Sequence, residues 1–244
     1  MSTLKEVLEG FKPEFKSELD NYKLDNECFI ELANAFLYGG YISVSDYKEE
    51  RYKIFIRTVE FYCHYEGDKK DLPKDPIVYH RNGHYVEGEV PYFPLMSFHA
   101  HASGYDITFE NPELKLRSSA LIRAYEVYDV LQKTYLHYDR EKNLFVSCND
   151  SKDRVNKQST YLYDFINGFS GYNIKWVDTP IHAQHHELKS APRQNVYRYD
   201  VHGNKIVNTD GKYIKDGRKW SFTRLDEIES GNDITLKSER LNQR

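Results

Sequence analysis

The sequence predicts a single α+β domain in which a curved antiparallel β-sheet is flanked by peripheral helices. Three observations favour this class: a helical pattern near the N-terminus, several β-branched and aromatic runs typical of strands, and a short helical pattern after them. With 244 residues and 39% hydrophobic content, the chain can bury a sizeable core. We divide it into an N-terminal helical arm over 1–25, the domain over 26–229 and a polar tail over 230–244.

The first half of the domain alternates helix, strand and turn signals. Apolar residues recur at helical spacing over 26–38, and two glycines end that helix. Residues 52–62 are β-branched and aromatic, which predicts a strand. Asn82-Gly83 is a preferred two-residue turn and predicts a hairpin over 77–86. An alternating pattern then predicts a strand over 105–109.

The second half predicts fewer regular elements. A strand begins near Ser118, and residues 129–138 fit either its extension or a helix. Residues 139–159 are polar and predict a loop of about 20 residues. A short helix follows over 160–169, and paired strands are predicted on either side of a turn at 200–204. Trp220 to Leu225 predicts the last strand.

Composition indicates a cytoplasmic protein with no membrane span. The three cysteines are isolated, which favours a reducing compartment, and neither a signal peptide nor a long apolar run is present in the sequence. The net charge of −4 argues mildly against attraction of the whole chain to nucleic acid. Residues 189–224, however, contain nine Lys or Arg against three Asp, so this segment could form a local basic surface.

Two charged residues interrupt apolar strand patterns and are the first candidates for a site. Glu60 lies in the predicted strand over 52–62, where Tyr62 shares its face, and Arg123 lies in the strand that begins near Ser118. A buried charge is costly unless it is paired or used. Glu60 could act as a general base beside Tyr62, and Arg123 could hold a water with it. The alternative is a structural ion pair of Arg123 with Glu60 or Glu126.

The histidines suggest a second type of site. His99 and His101, and the cluster of His182, His185 and His186, have spacings that could serve metal ligation, although Pro180 and the order of residues weaken that interpretation. Solvated loop histidines are the alternative. The phosphate-loop, dinucleotide and nucleophile-elbow motifs do not occur in the sequence. We expect no cofactor and no metal.

The order of these features resembles the alkyladenine (3-methyladenine) DNA glycosylase family. That family carries Glu-Ala-Tyr on a strand, a following His, a Tyr-Gly turn that enters a strand, and Leu-Leu-Arg-Ala-Leu-Glu-Pro. The matching segments here are 59–62 with Val-Glu-Phe-Tyr, His80, 103–110 beginning Ser-Gly, and 120–126 with Ala-Leu-Ile-Arg-Ala-Tyr-Glu. Ala-Pro-Arg at 191–193 and Arg-Lys-Trp-Ser-Phe at 218–222 are similar to later family segments.

The resemblance implies a metal-free hydrolase that removes alkylated or otherwise modified bases from DNA. Glu60 would activate the water that attacks the sugar C1′, and Arg123 would position it. Tyr62 and His80 would line the pocket of a flipped base. Glu110 stands where the family has a base-discriminating Asn. The implied DNA contacts are Ser103, which stands where the family inserts a Tyr, its substitute Tyr105, and the basic residues Arg193 and Lys219.

Two other functions stay open at this point. The first is a binding module that keeps the fold but has lost catalysis and uses a Tyr-rich cleft for a nucleotide, a nucleic acid or a protein. The second is a metal-dependent enzyme centred on the histidines. DNA with a modified base is the expected partner in the favoured interpretation, and the sequence predicts no oligomeric state.

Overall fold

The computed structural model describes most of the domain. The described residues are 2–13, 27–47, 49–68, 75, 77–83, 87–101, 103–148, 150–168, 171–179, 187–199 and 204–225. The predicted polar tail over 230–244 lies outside them, as does the second half of the predicted arm. No helix among these residues is long and apolar enough to cross a membrane.

Three α-helices lie within the described ranges, together with a 3₁₀ turn at Ser151–Asp153. They are α1 (Leu4–Gly10), α2 (Glu27–Tyr38) and α3 (Ser159–Asn167). Helix α1 begins with a capping box, in which Thr3 and Glu6 each bond the other's backbone N–H. Leu4 and Leu8 of α1 belong to the same buried core as Phe29 of α2, so α1 packs on the domain.

Ten β-strands of the described segments form one antiparallel sheet. They are β1 (Gly40–Ser45), β2 (Glu50–Tyr65), β3 (Phe98–His101), β4 (Gly104–Thr108), β5 (Leu116–Asp129), β6 (Thr134–Asp139), β7 (Leu144–Cys148), β8 (Asn173–Asp178), β9 (Leu188–Ala191) and β10 (Ser221–Arg224). The main path runs β3-β4-β5-β2-β1-β8. The sheet curls into a half-barrel, which confirms the predicted α+β class.

The two longest strands, β2 and β5, pair with each other and organise the sheet. On its other edge β2 pairs with β1 along its first half and with β10 along its second half. Strand β5 likewise pairs with β4 and, further along, with β6. The register between β2 and β5 shifts on both sides of Thr58, and Arg123 is left without a register partner there. Such a bulge bends the strands and redirects a side chain.

The two faces of the sheet have different chemistry. One face buries Phe61, Ile107 and Ile122 in the hydrophobic core, where Phe29 of α2 stacks on Phe61 with ring centroids 4.9 Å apart. Because side chains alternate along a strand, Glu60 projects from the opposite face. Apolar burial on one face thus fixes which charged residues of β2, β4 and β5 face the other.

Several sequence predictions of elements need correction. Residues 77–83 form turns instead of the first part of a hairpin, and 84–86 lie outside the described residues. The amide groups of Asn82 bond the Glu66 carboxylate, and Asn82 Oδ1 accepts from Val90 N, so side-chain bonds replace a strand ladder there. The predicted loop over 139–159 contains β7, which pairs with β6. Residues 129–138 are strand and turn, not helix.

Candidate functional site

A cavity of about 760 Å³ opens on the charged face of the sheet. Its lining comes from the strands β2, β4 and β5, from the turns over 77–83, and from the segment 194–199. A volume of this size lies within the range of about 300–1,000 Å³ typical of small-molecule sites. The cavity is therefore the candidate ligand-binding site of this protein.

The structure brings Glu60, Tyr62 and Arg123 together at this cavity. Oε2 of Glu60 accepts a hydrogen bond from Arg123 Nε at 2.7 Å and another from the Tyr62 hydroxyl at 3.1 Å. Oε1 accepts from the backbone N–H of Gln194 at 2.8 Å. Glu60 is fully buried, whereas Tyr62, Arg123 and Gln194 line the cavity. Glu60 thus lies behind the cavity wall and is hydrogen-bonded directly to three residues that line the cavity.

The surroundings of Arg123 and Tyr62 shift the pKa of both side chains upward. Burial lowers the pKa of Arg123, but Tyr62 and Glu60 outweigh it, so its pKa is raised above the ordinary value. Burial also raises the pKa of the Tyr62 phenol, and the neighbouring Glu60 raises it further. The phenol is therefore protonated near neutral pH and can donate to Glu60. The alternative partner of Arg123, Glu126, instead pairs with Arg57 at 3.2 Å.

Arg193 does not lie on the DNA-facing surface that the sequence predicted. It is 3% exposed, and it forms ion pairs with Asp75 and with Asp216, the latter at 2.8 Å. Its guanidinium also lies 4.7 Å from the centroid of the Tyr62 ring. Arg193 is therefore a buried support behind Tyr62, and the sequence prediction of a DNA contact is wrong because a buried arginine cannot reach DNA.

His80 and Glu110 also lie behind the cavity and not in its lining. Nδ1 of His80 is in close contact with Oε1 of Glu110, and the two side chains are 1% and 0% exposed. Glu110 also accepts from Arg117 at 3.0 Å and from the backbone N–H of Phe93 at 2.7 Å. Tyr79, which does line the cavity, packs its ring against His80 with centroids 4.7 Å apart. These contacts support the wall and correct the prediction of direct base contact.

The remaining predicted DNA contacts differ in exposure. Ser103 is exposed and lines the cavity, so it is accessible to a bound molecule. Tyr105 is 5% exposed and belongs to the core, so it cannot enter a base stack, which corrects its predicted role. Lys219 is exposed. Three isolated bridges join residues of 197–215, and Tyr199 of this segment reaches the cavity.

The sequence interpretation missed Asp106 in the cavity lining, together with its contact with His101. Oδ1 of Asp106 lies 3.2 Å from His101 Nε2, and both residues line the cavity. The signal was available, because Asp106 is a charge within the alternating Tyr105 to Phe109 run, as Glu60 is within its own strand. Tyr79 completes this wall, with its ring 4.8 Å from that of His101.

The described part of the chain contains no cluster of metal-ligating side chains that would support the metal hypothesis. No group of three or more His, Cys, Asp or Glu side chains there could hold a metal ion. His99 instead packs on Phe93, with ring centroids 3.8 Å apart. His182, His185 and His186 lie outside the described residues.

Comparisons with protein-family models, with curated proteins and with solved structures found no match for this chain. The glycosylase resemblance thus rests on the sequence segments alone. What the protein does must be argued from the cavity and its charged wall.

Proposed function

We propose that this protein is an N-glycosyl hydrolase that removes a modified base from DNA. The observation that carries the proposal is the Glu60 carboxylate, which is held by Arg123 and Tyr62 directly behind the wall of a cavity. Desolvated carboxylates with charged partners beside a cleft are frequent at catalytic sites.

The lining of the cavity suits a base that has left the DNA stack. Tyr62, Tyr79 and His101 present aromatic rings, and Arg81 and Arg123 add positive charge. An enzyme that acts on a base must take it out of the duplex into such a pocket. Aromatic faces favour an alkylated, positively charged base through both stacking and cation-π attraction.

The proposed reaction uses one water molecule and two groups of the wall. The water oxygen forms a bond to the sugar C1′, and the C1′–N bond breaks with its electron pair left on the base nitrogen. The water proton passes to the Tyr62 hydroxyl while that hydroxyl gives its own proton to Glu60 Oε2, 3.1 Å away. Glu60 later returns this proton to solvent, and the positive charge of Arg123 orients the attacking water. An alkylated cationic base leaves as a neutral molecule.

The basic segment supplies the part that would contact DNA. Lys205, Lys212, Lys215 and Lys219 are exposed, and the segment joins the cavity through Tyr199. Because the whole chain carries a net charge of −4, we expect attraction to phosphates to be confined to this side. DNA affinity should therefore fall as the salt concentration rises.

The decisive assay measures free base released from alkylated duplex DNA. Wild-type protein should release base, and Glu60→Gln should lower the rate by about 10²- to 10⁴-fold, since a positioned proton acceptor contributes about that much. Glu113→Gln is the matched control, because Glu113 is exposed. Equal rates for wild type and Glu60→Gln would refute the mechanism.

A second candidate is a module that binds nucleic acid on the same surface without catalysis. It is favoured by one observation: Glu60 is fully buried and three donors already occupy its carboxylate. Salt-dependent DNA binding with no base released, even at high protein concentration, would select this candidate over the hydrolase.

A further inference from the structure

Asp106 occupies an unusual position for a charged residue. It lies in the middle of β4, where every residue is buried, and it is itself 3% exposed. The register places it opposite Leu121, which in turn lies opposite Glu60. Asp106 therefore shares the cavity face of the sheet with Glu60, and β5 lies between their two strands.

His101 lies beside Asp106 but does not neutralise the charge of its carboxylate. The backbone N–H of Ser103 donates to His101 Nδ1 at 3.2 Å, so Nδ1 carries no proton. The ring proton is then on Nε2, which lies 3.2 Å from Oδ1 of Asp106 without the alignment of a hydrogen bond. This tautomer is electrically neutral. The buried Oδ1 of Asp106 therefore has no hydrogen-bond partner among the residues that the structure describes.

Tyr79 adds a second unsatisfied polar group to the same wall. Its hydroxyl is buried and has no hydrogen-bond partner among the described residues. Burial raises the pKa of this phenol, and the nearby Asp106 raises it further, so the hydroxyl keeps its proton. The wall thus presents a carboxylate acceptor and a phenol, both already desolvated.

A desolvated carboxylate without a cation costs free energy in the empty protein. A ligand that donates an N–H to it would regain that free energy, while a ligand that lacks the donor would not. Such an arrangement discriminates between bases that differ by one amino or imino group.

We infer that Asp106, which lies beside His101, determines specificity in the cavity by accepting a hydrogen bond from an amino or imino N–H on the edge of the bound base. This inference rests on the proposed function, because it takes the ligand of the cavity to be a nucleobase. It assigns recognition to Asp106 and leaves proton transfer to Glu60 and Tyr62.

The test compares nucleosides that differ by a single amino group. Adenosine against purine riboside, and guanosine against inosine, are titrated into the full chain by calorimetry. In at least one pair the amino nucleoside should bind the wild type about tenfold more tightly or better. Asp106→Asn should abolish that preference. Asp139→Asn is the matched control, because Asp139 pairs with Lys142 away from the cavity lining.

Two further measurements separate recognition from a merely structural role. Asp106→Asn removes an unneutralised buried charge, so its melting temperature should equal or exceed that of the wild type. His101→Ala should weaken the preference, and His101→Gln, which keeps an N–H donor, should restore part of it. A lower melting temperature of Asp106→Asn would identify a structural carboxylate and overturn the inference.

Failure of this inference is distinguishable from failure of the proposed function. If the wild type releases base from alkylated DNA but binds both members of each nucleoside pair equally, Asp106 is not the specificity residue and the hydrolase stands. If Asp106→Asn abolishes the preference but no base is released, recognition by Asp106 stands and the hydrolase fails. Binding of no nucleoside at millimolar concentration would overturn the inference.

Discussion

Removal of the negative charge of Glu60 should destabilise the protein through Arg123. In Glu60→Gln the half-buried guanidinium of Arg123 keeps its position but loses its counterion, while the glutamine amide places N–H donors where an acceptor stood. Breaking a buried ion pair costs about 3–5 kcal/mol. Glu60 is 0% exposed, but the Arg123 side chain is 20% exposed and recovers some hydration, so we expect the lower end, about 3 kcal/mol.

Thermal unfolding followed by circular dichroism measures this cost. For a chain of this size about 1 kcal/mol corresponds to about 2–4 °C, so Glu60→Gln should melt about 6–12 °C below the wild type. The interaction itself is isolated by a double-mutant cycle with Arg123→Met. The double variant should be more stable than the sum of the single losses by about 1–3 kcal/mol. Single losses that add within about 0.5 kcal/mol would show that Glu60 and Arg123 do not stabilise each other.

Three other predictions concern the support of the site. Arg193→Met should lower the free energy of unfolding by about 3 kcal/mol in urea titrations, because two buried aspartates lose one of their two arginine partners and keep only Arg218, and an unchanged midpoint would contradict the network. Gly104 has φ +138°, and a Cβ there would meet Ser159 Oγ at 1.8 Å, so Gly104→Ala should cost at least about 2 kcal/mol. Gly211→Ala, with φ +73° and open space, should cost only about 1 kcal/mol, so equal losses would refute the clash. Burial raises the pKa of Asp216, but Arg218 outweighs it and lowers the pKa from 3.8 to about 2. Because the folded pKa is the lower one, the stability from Asp216 should be complete above about pH 4 and lost toward about pH 2, a slope that Asp216→Asn should flatten.

The part of the site that lies on long strands could be predicted from the sequence. A charge inside an apolar β run marks a residue that needs a partner, and this reasoning identified Glu60 and Arg123 before any pairing was known. Their contact follows from the pairing of β2 with β5 and from the bulge at Thr58. The same reasoning, applied to β4, would have identified Asp106.

The remaining residues could not be placed because exposure depends on long-range packing. Arg193 and Lys219 belong to the same basic segment, yet one is 3% exposed and the other is on the surface. The difference comes from Asp75, which lies 118 residues before Arg193 and neutralises it. The hairpin around the Asn82 turn was predicted wrongly for a related reason, because Glu66 accepts hydrogen bonds from the amide groups of Asn82 and no local pattern shows that contact.

The position of β10 in the sheet has a consequence for biosynthesis. Glu60 is translated early, but the backbone N–H that caps its Oε1 belongs to Gln194, 134 residues later, and the strand beside it begins only at Ser221. A nascent chain that has reached residue 190 therefore lacks both the Gln194 N–H and β10, and the edge of β2 beside Glu60 is unpaired. Such late, long-range closure slows folding and leaves the intermediate prone to wrong pairing. The cavity can take up a ligand only when nearly the whole domain has left the ribosome.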